Sequence, residues 1–213
     1  MPLIIGAFAT FQRIFMAKKE LKTNATAESL GSKDDGANAV NIHLKSDVRQ
    51  SPLYTFFLSG LKDIHYAENK LVDALQEMEN SATTEELKDA FEDHFLLTKK
   101  HISRLRKVFA HLGEKEESKE CKAMDGLIEE VKDIIKSTGE GSVTRDVALI
   151  IAAQKVEHYE IATYGGLAQI AITLGLDRVA DILEKTLQEE EETDLLLTEI
   201  AESHINPEAE KED

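Results

Sequence analysis

The chain has 213 residues and a formal charge of −16, with 41 acidic against 25 basic side chains; that balance excludes a sequence-independent grip on nucleic-acid phosphates, which needs clustered Lys and Arg. A single cysteine, Cys121, excludes an intrachain disulfide and fits a reducing cytoplasm. Three prolines, no tryptophan and abundant Leu, Ala, Glu and Lys predict an all-α soluble protein with one domain and tails.

The first fifteen residues, MPLIIGAFATFQRIF, hold an apolar stretch too short to span a bilayer, with no basic residue ahead of it and no clean cleavage pattern after it. Met16 opens MAKKELKTN in the manner of a natural start. Residues 17–51 are rich in Ala, Asn, Ser, Gly, Lys and Asp with little periodicity, so 1–51 is expected to be a disordered or weakly structured extension. Pro52 suits the first turn of a helix, where its missing N–H costs nothing.

A first long helix is predicted over 53–80, with the stripe Phe57, Leu61, Ile64, Glu68, Leu71, Leu75 and Met78. Thr83 and Glu86 have the spacing of a capping box for a second, which runs to about Leu112 and is stopped by Gly113. Its face carries Leu87, Phe91, His94, Thr98, His101, Leu105, Val108 and Leu112. The connection 114–141 holds a short crossing helix, marked by Leu127, Val131, Ile134 and Ile135. Ser142 can cap a third long helix ending near Thr173, with Val147, Ile150, Gln154, Glu157, Ile161, Tyr164, Ala168 and Ala171 on one face. Gly165 and Gly166 interrupt it at a cost of about 1 kcal/mol each, which close packing against a neighbour would justify. The fourth helix follows Gly175 and presents Leu176, Ala180, Leu183, Leu187, Glu190, Asp194, Leu197, Ala201 and His204. The bundle domain is thus expected over 52–205, with an acidic disordered tail over 206–213.

Each stripe is interrupted by polar residues in its middle, and an unpaired charge there would cost on the order of several kcal/mol. In an antiparallel hairpin, residues equally far from the turn lie side by side. Glu68, fourteen residues before a turn at 82, then lies opposite 96, between His94 and Thr98; Glu157, seventeen before 174, faces 191, beside Glu190, Glu191 and Asp194. A central layer of carboxylates and imidazoles from facing helices is what a metal site in a bundle core requires. Taken singly, a core histidine is usually hydrogen-bonded and the run Gln188–Glu192 a solvated face; the conjunction is what points to metal. Mixed oxygen and nitrogen ligands without thiolate suit iron or manganese, with zinc an option. Two ions bridged by carboxylates would support ferroxidase or peroxide chemistry. Tyr66, Tyr159 and Tyr164 lie near the same level and are read as packed phenols with hydroxyl partners.

These residues resemble the YciE/YciF family of ferritin-like, stress-associated bacterial proteins. The resemblance rests on LKDIHYAENKL, AFEDHFLLTKKHISRLRKVFAHLGEK, CKAMDGLIEE, VALIIAAQKVEHYEIATYGGLA and LEKTLQEEEETD, and spans about residues 53–202. It implies an all-α, ferritin-like antiparallel four-helix bundle with a short crossing helix between the second and third long helices, homodimers and a metal centre. By that resemblance Glu68, His94, His101, Glu157, Glu160, Glu191 and Asp194 fall where metal ligands would be sought. Glu191 with Asp194 is preferred to its rival Glu190, because a spacing of three imitates the paired ligands of ferritin-like helices. Two departures stand out: no Glu-x-x-His occurs, and Leu97 stands where the family often has glutamate, which would leave a mononuclear or vestigial site. The alternatives are a non-catalytic structural or interaction bundle, whose central acids and histidines only fix packing, and, ranked lower, a mini-ferritin shell. Against the structural reading, the layer has several carboxylates, two imidazoles and no Lys or Arg, so without a cation it needs protonated acids or water.

Overall fold

A computed structural model describes residues 46–212. The expected extension over 1–51 lies outside the described residues except for its last six, which include one helical turn, α1 (Ser46–Arg49). The other elements are α2 (Pro52–Ser81), α3 (Glu85–Leu112), α4 (Lys122–Ser137), α5 (Val143–Thr173) and α6 (Asp177–Ile200), then a π-helical turn (Ala201–Ile205) and α7 (Asn206–Ala209). The described residues are all-helical, and none of their helices is long and apolar enough to cross a membrane.

The boundaries follow from local chemistry. Ser51 precedes Pro52 and its Oγ accepts from the Tyr54 N–H, so α2 begins capped on a proline that has no N–H to leave unpaired. Gly113 stops α3 in the left-handed conformation, at φ 65°, where a Cβ would be strained. Ser142 caps α5 by accepting from the Arg145 N–H. The crossing segment starts earlier than its apolar spacing suggested, with Cys121 as N-cap accepting from the Met124 N–H.

The α2–α3 turn differs from the capping box expected at Thr83 and Glu86. Thr84 is the N-cap and makes no side-chain cap; Thr83 Oγ1 donates instead to the Ser142 carbonyl. The free N–H groups are taken from across the fold, by Asp146 of α5, whose Oδ1 and Oδ2 accept from Thr83 N at 2.7 Å and Thr84 N at 2.8 Å. Asp146 is wholly buried, so its loss would leave two donors without partners. Asp146→Ala is expected to lower unfolding stability by about 2–3 kcal/mol, the scale of buried charge-assisted hydrogen bonds. Urea denaturation checks this, and a loss under about 0.5 kcal/mol would show that water replaces the cap.

The long helices form two hairpins, α2 with α3 and α5 with α6, and the hairpins pack so that α2 meets α5 and α3 meets α6. The connection holds α4, which packs against α2 and α5. All the stripe residues named for the first two long helices are buried. On α5 the buried surface departs from the expected stripe: Val147, Gln154 and Ile161 are only partly buried, while Leu149, Ala152, Ala153, Val156, Glu160 and Leu167 are inside. On α6 the buried set is Val179, Ala180, Leu183, Thr186, Glu190, Thr193, Leu197 and Ile200, so Asp194 sits off it and His204 is exposed, 3.2 Å from Glu86.

A further expectation is corrected. Close packing does not explain Gly165 and Gly166: a Cβ on Gly165 would meet Leu187 only at 3.8 Å, and one on Gly166 would meet nothing within 4 Å. The tight approach is at Gly60, where a Cβ would lie 2.8 Å from Leu167 Cδ2. The tail expected to be disordered over 206–213 begins with α7, and its Glu212 carboxylate accepts from the N–H groups of Val143 and Thr144, both at 2.8 Å. A carboxylate there also complements the positive end of the α5 dipole.

Candidate metal centre

Midway along the helices the apolar core gives way to six buried ionisable side chains: Glu68 from α2, His94 and His101 from α3, Glu157 and Glu160 from α5 and Glu190 from α6. None is more than 2% exposed. Their arrangement follows from helix geometry, because side chains lean toward the N-terminus of their own helix. Glu68 therefore leans away from the α2–α3 turn and His101 toward it, and they meet at 3.6 Å (Oε1 to Nδ1), although counting Cα positions alone placed Glu68 opposite 96. On α6, Leu183, Glu190 and Leu197 recur every seven residues on the buried face, which carries Glu190 inward.

Among the described residues two groups of candidate ligands result, and they share one residue. His94, Glu157, Glu160 and Glu190 form the first; Glu68, His101 and Glu190 form the second, and in each the ligand atoms lie within 4.8 Å of one another. His94 Nδ1 is 3.2 Å from Glu157 Oε1 and its Nε2 3.6 Å from Glu190 Oε2, while His101 Nδ1 is 2.9 Å from Glu190 Oε1. These approaches lack hydrogen-bond alignment. Both oxygens of Glu157, Glu160 and Glu190, Glu68 Oε2, both nitrogens of His94 and His101 Nδ1 are buried without a hydrogen-bond partner. Buried polar atoms are normally satisfied, so such a concentration in one layer asks for an occupant.

Electrostatics agree. Burial raises the pKa of Glu157 and Glu160 well above the ordinary carboxylate value, and the neighbouring Glu190 and Glu68 raise both further; Asp194 adds to the effect on Glu157. Burial also raises Glu68, although His101 and the phenol of Tyr164 oppose it. Burial would raise Glu190 too, but the facing His101 and His94 outweigh it and hold that acid low. His101 answers in the opposite sense: burial pulls it down, and its contacts with Glu190, Glu68 and Glu189 prevail and lift it to about 9. Four carboxylates thus face two imidazoles in a layer with too little positive charge, and a cation would supply it.

Around this layer, Tyr164 OH donates to Glu68 Oε1 and the Tyr164 ring meets His101 edge-on at 6.5 Å. Tyr66 donates to Asp125, and Tyr159 to Asp63 with Cys121 Sγ at 3.1 Å, so all three phenols have hydroxyl partners, as expected. Behind His101, Glu189 lies 3.0 Å from Nε2 and is gripped by Arg104.

Of the residues expected as ligands, Glu68, His94, His101, Glu157 and Glu160 come together. Glu191 and Asp194 do not. Glu191 is one position, about 100° of helix, past Glu190 and only partly buried; Asp194 is 20% exposed and approaches Gln154 at 3.3 Å and His158 at 3.4 Å. Glu190, the rival set aside, takes the central place. Leu183 and Leu197 define the buried face of α6, and Glu190, rather than the pair at a spacing of three, lies on it. Glu189 gave no periodic signal, since it contributes from the edge of the core. Leu97 is half-buried, and six donors gather without it.

Comparison with known proteins gives one consistent answer. The family described as a domain of unknown function (DUF892) matches residues 53–210. Protein YciF of Escherichia coli (strain K12) is 43% identical over 155 residues, covering 72% of this chain and 93% of that one. The crystal structure of the E. coli stress protein YciF matches with a TM-score of 0.70 at 40% identity, covering 74% of this chain and 99% of that one. YcfI from Rhodopseudomonas palustris, proposed as a structural protein, matches with a TM-score of 0.68 at 36% identity over 72% and 96% of the two chains.

Proposed function

The chain belongs to the DUF892 family, to which E. coli YciF is its similar relative, and from that premise we propose a ferritin-like protein that binds one or two transition-metal ions in its core and serves in a bacterial stress response. The observation that carries the reading is the convergence of Glu68, His94, His101, Glu157, Glu160 and Glu190, whose buried oxygens and nitrogens are largely without hydrogen-bond partners. On this reading residues 52–205 are a ferritin-like antiparallel four-helix bundle with α4 as its additional crossing helix. The donor set of carboxylate and imidazole favours iron, with manganese or zinc as alternatives. A homodimer belongs to the same proposal, and the exposed Leu195 and Leu196 are apolar surface that a second copy would cover. The single cysteine, Cys121, is free and buried, which fits a reducing cytoplasm.

Bound iron would supply electrons for ferroxidase or peroxide chemistry. The chain's own residues would do the rest. Glu190 reaches both ligand groups and would bridge them; Glu157 and Glu160 with His94 would complete one position, and Glu68 with His101 the other. Tyr164 fixes Glu68 by donating to one of its oxygens. Apolar layers, with Phe57, Leu61, Leu105 and Phe109 among them, keep bulk water from the centre.

The second reading is a structural bundle whose polar layer fixes helix register. The proposed structural role of the R. palustris relative favours it. Elemental analysis after purification without chelator or histidine tag, followed by aerobic titration with ferrous iron, separates the two. Uptake of about two equivalents with oxygen consumption supports a dinuclear centre. No stoichiometric metal and no uptake would leave the structural reading standing.

A further inference from the structure

We infer that Glu189, held by Arg104, is the positioning residue for the His101 ligand, taking its Nε2–H and so directing Nδ1 into the centre. The inference rests on the metal-binding reading above, which concerns the residues inside the layer; Glu189 and Arg104 stand at its edge.

An imidazole binds metal through one nitrogen, and the partner of the other decides which one it is. His101 Nε2 lies 3.0 Å from Glu189 Oε2, while Nδ1 lies 2.9 Å from Glu190 Oε1 and 3.6 Å from Glu68 Oε1. One face of the ring is therefore committed outward and the other inward. Glu189 is itself committed: Arg104 Nη2 donates to Oε1 at 2.7 Å and Nη1 to Oε2, a two-point grip that also touches Thr186 Oγ1 at 3.3 Å. That guanidinium holds the Glu189 carboxyl below the ordinary carboxylate range. Adjacent acids on one helix thus take different tasks. Glu190 turns inward with both oxygens lacking hydrogen-bond partners, and Glu189 stays with its oxygens occupied.

His94 makes the contrast. Both of its nitrogens lack hydrogen-bond partners and face Glu157 and Glu190, so nothing outside the layer orients it. The two imidazoles differ accordingly: His101 is oriented before any ion arrives, whereas His94 depends on the ligand group itself. Arg104 follows His101 by three residues on α3, which places the guanidinium beside the imidazole it serves through Glu189. The side chains of Arg104 and Glu189 are 14% and 19% exposed, so they sit at the edge of the core, and substitution by glutamine at either position keeps most of the side chain's volume there.

The test uses the full-length protein loaded with cobalt(II), whose paramagnetism shifts the resonances of ligand protons. Wild-type protein should show a hyperfine-shifted, solvent-exchangeable resonance from His101 Nε2–H that vanishes in deuterium oxide and in His101→Gln. In Glu189→Gln that resonance should move or broaden, and the cobalt dissociation constant should rise about tenfold, the scale typical of an outer-shell partner. Arg104→Gln keeps the acceptor but frees it, and should raise the constant by a smaller factor of about three. A purely structural role would lower the urea midpoint of the metal-free variants and leave resonance and affinity unchanged, which would overturn the inference alone. Absence of cobalt uptake by the wild type would overturn the metal-binding reading and the inference together.

Discussion

Replacing Glu190 with alanine is expected to strip the protein of bound metal, with affinity falling by about 100-fold or more, because losing a carboxylate that holds the ion directly should meet or exceed the largest effect of losing a group that only orients a ligand. Glu190 is the one residue common to both ligand groups, so its removal takes a donor from each. Glu157→Gln, by contrast, touches only the group with His94 and Glu160, and should leave the position of Glu68, His101 and Glu190 able to bind. The order of effects, Glu190→Ala well beyond Glu157→Gln, is the signature of a shared carboxylate. Elemental analysis and isothermal titration of the purified variants measure it, with exposed Glu92→Gln as the control that keeps wild-type content. Equal metal content in Glu190→Ala and wild type would refute the assignment of Glu190.

Glu160→Met should separate stability from function. Glu160 is completely buried, and neither of its oxygens has a hydrogen-bond partner. Burial, and then Glu190, Glu68 and Glu157, raise the pKa of its carboxyl well above the ordinary carboxylate value, so its charge is costly there. Methionine has nearly the same volume and needs no solvation, so the metal-free variant should be more stable by about 1–3 kcal/mol, as when buried charges give way to apolar side chains. Metal affinity should fall at the same time. The expected reading is a higher urea midpoint in the presence of chelator with a lost or reduced stabilisation by added metal. If the metal-free variant were less stable than wild type, Glu160 would be contributing a contact of its own, and the layer would be structural.

The periodic parts of this fold were legible before any coordinates. Every position named on the first two stripes is buried, because a period of 3.6 residues resolves the inward face of an amphipathic helix well, although Tyr54, Ala67, Ala90 and Phe109 are buried beside it. On α5 the same method found Glu157 and Tyr164 but also named Val147, Gln154 and Ile161, which are only partly buried, and left out Leu149, Ala152 and Val156, which are inside. On α6 the tertiary register decides one step. A run of four acids offers a carboxylate at every angle, and only the register set by Leu183 and Leu197 selects Glu190 over Glu191.

The sequence by itself determined the helices, their stops at Gly113 and Gly175, and the presence of acids and imidazoles at the middle of each stripe, because those properties depend on residues a few positions apart. Tertiary structure alone decided which atoms meet. The lean of side chains along antiparallel helices carried Glu68 to His101 rather than to His94. The grip of Arg104 held Glu189 outside the layer while its neighbour entered. Asp146 took over a cap that the local residues did not form. Each of these is a contact across more than sixty positions of chain or between helices, and such distances are set only when the helices pack.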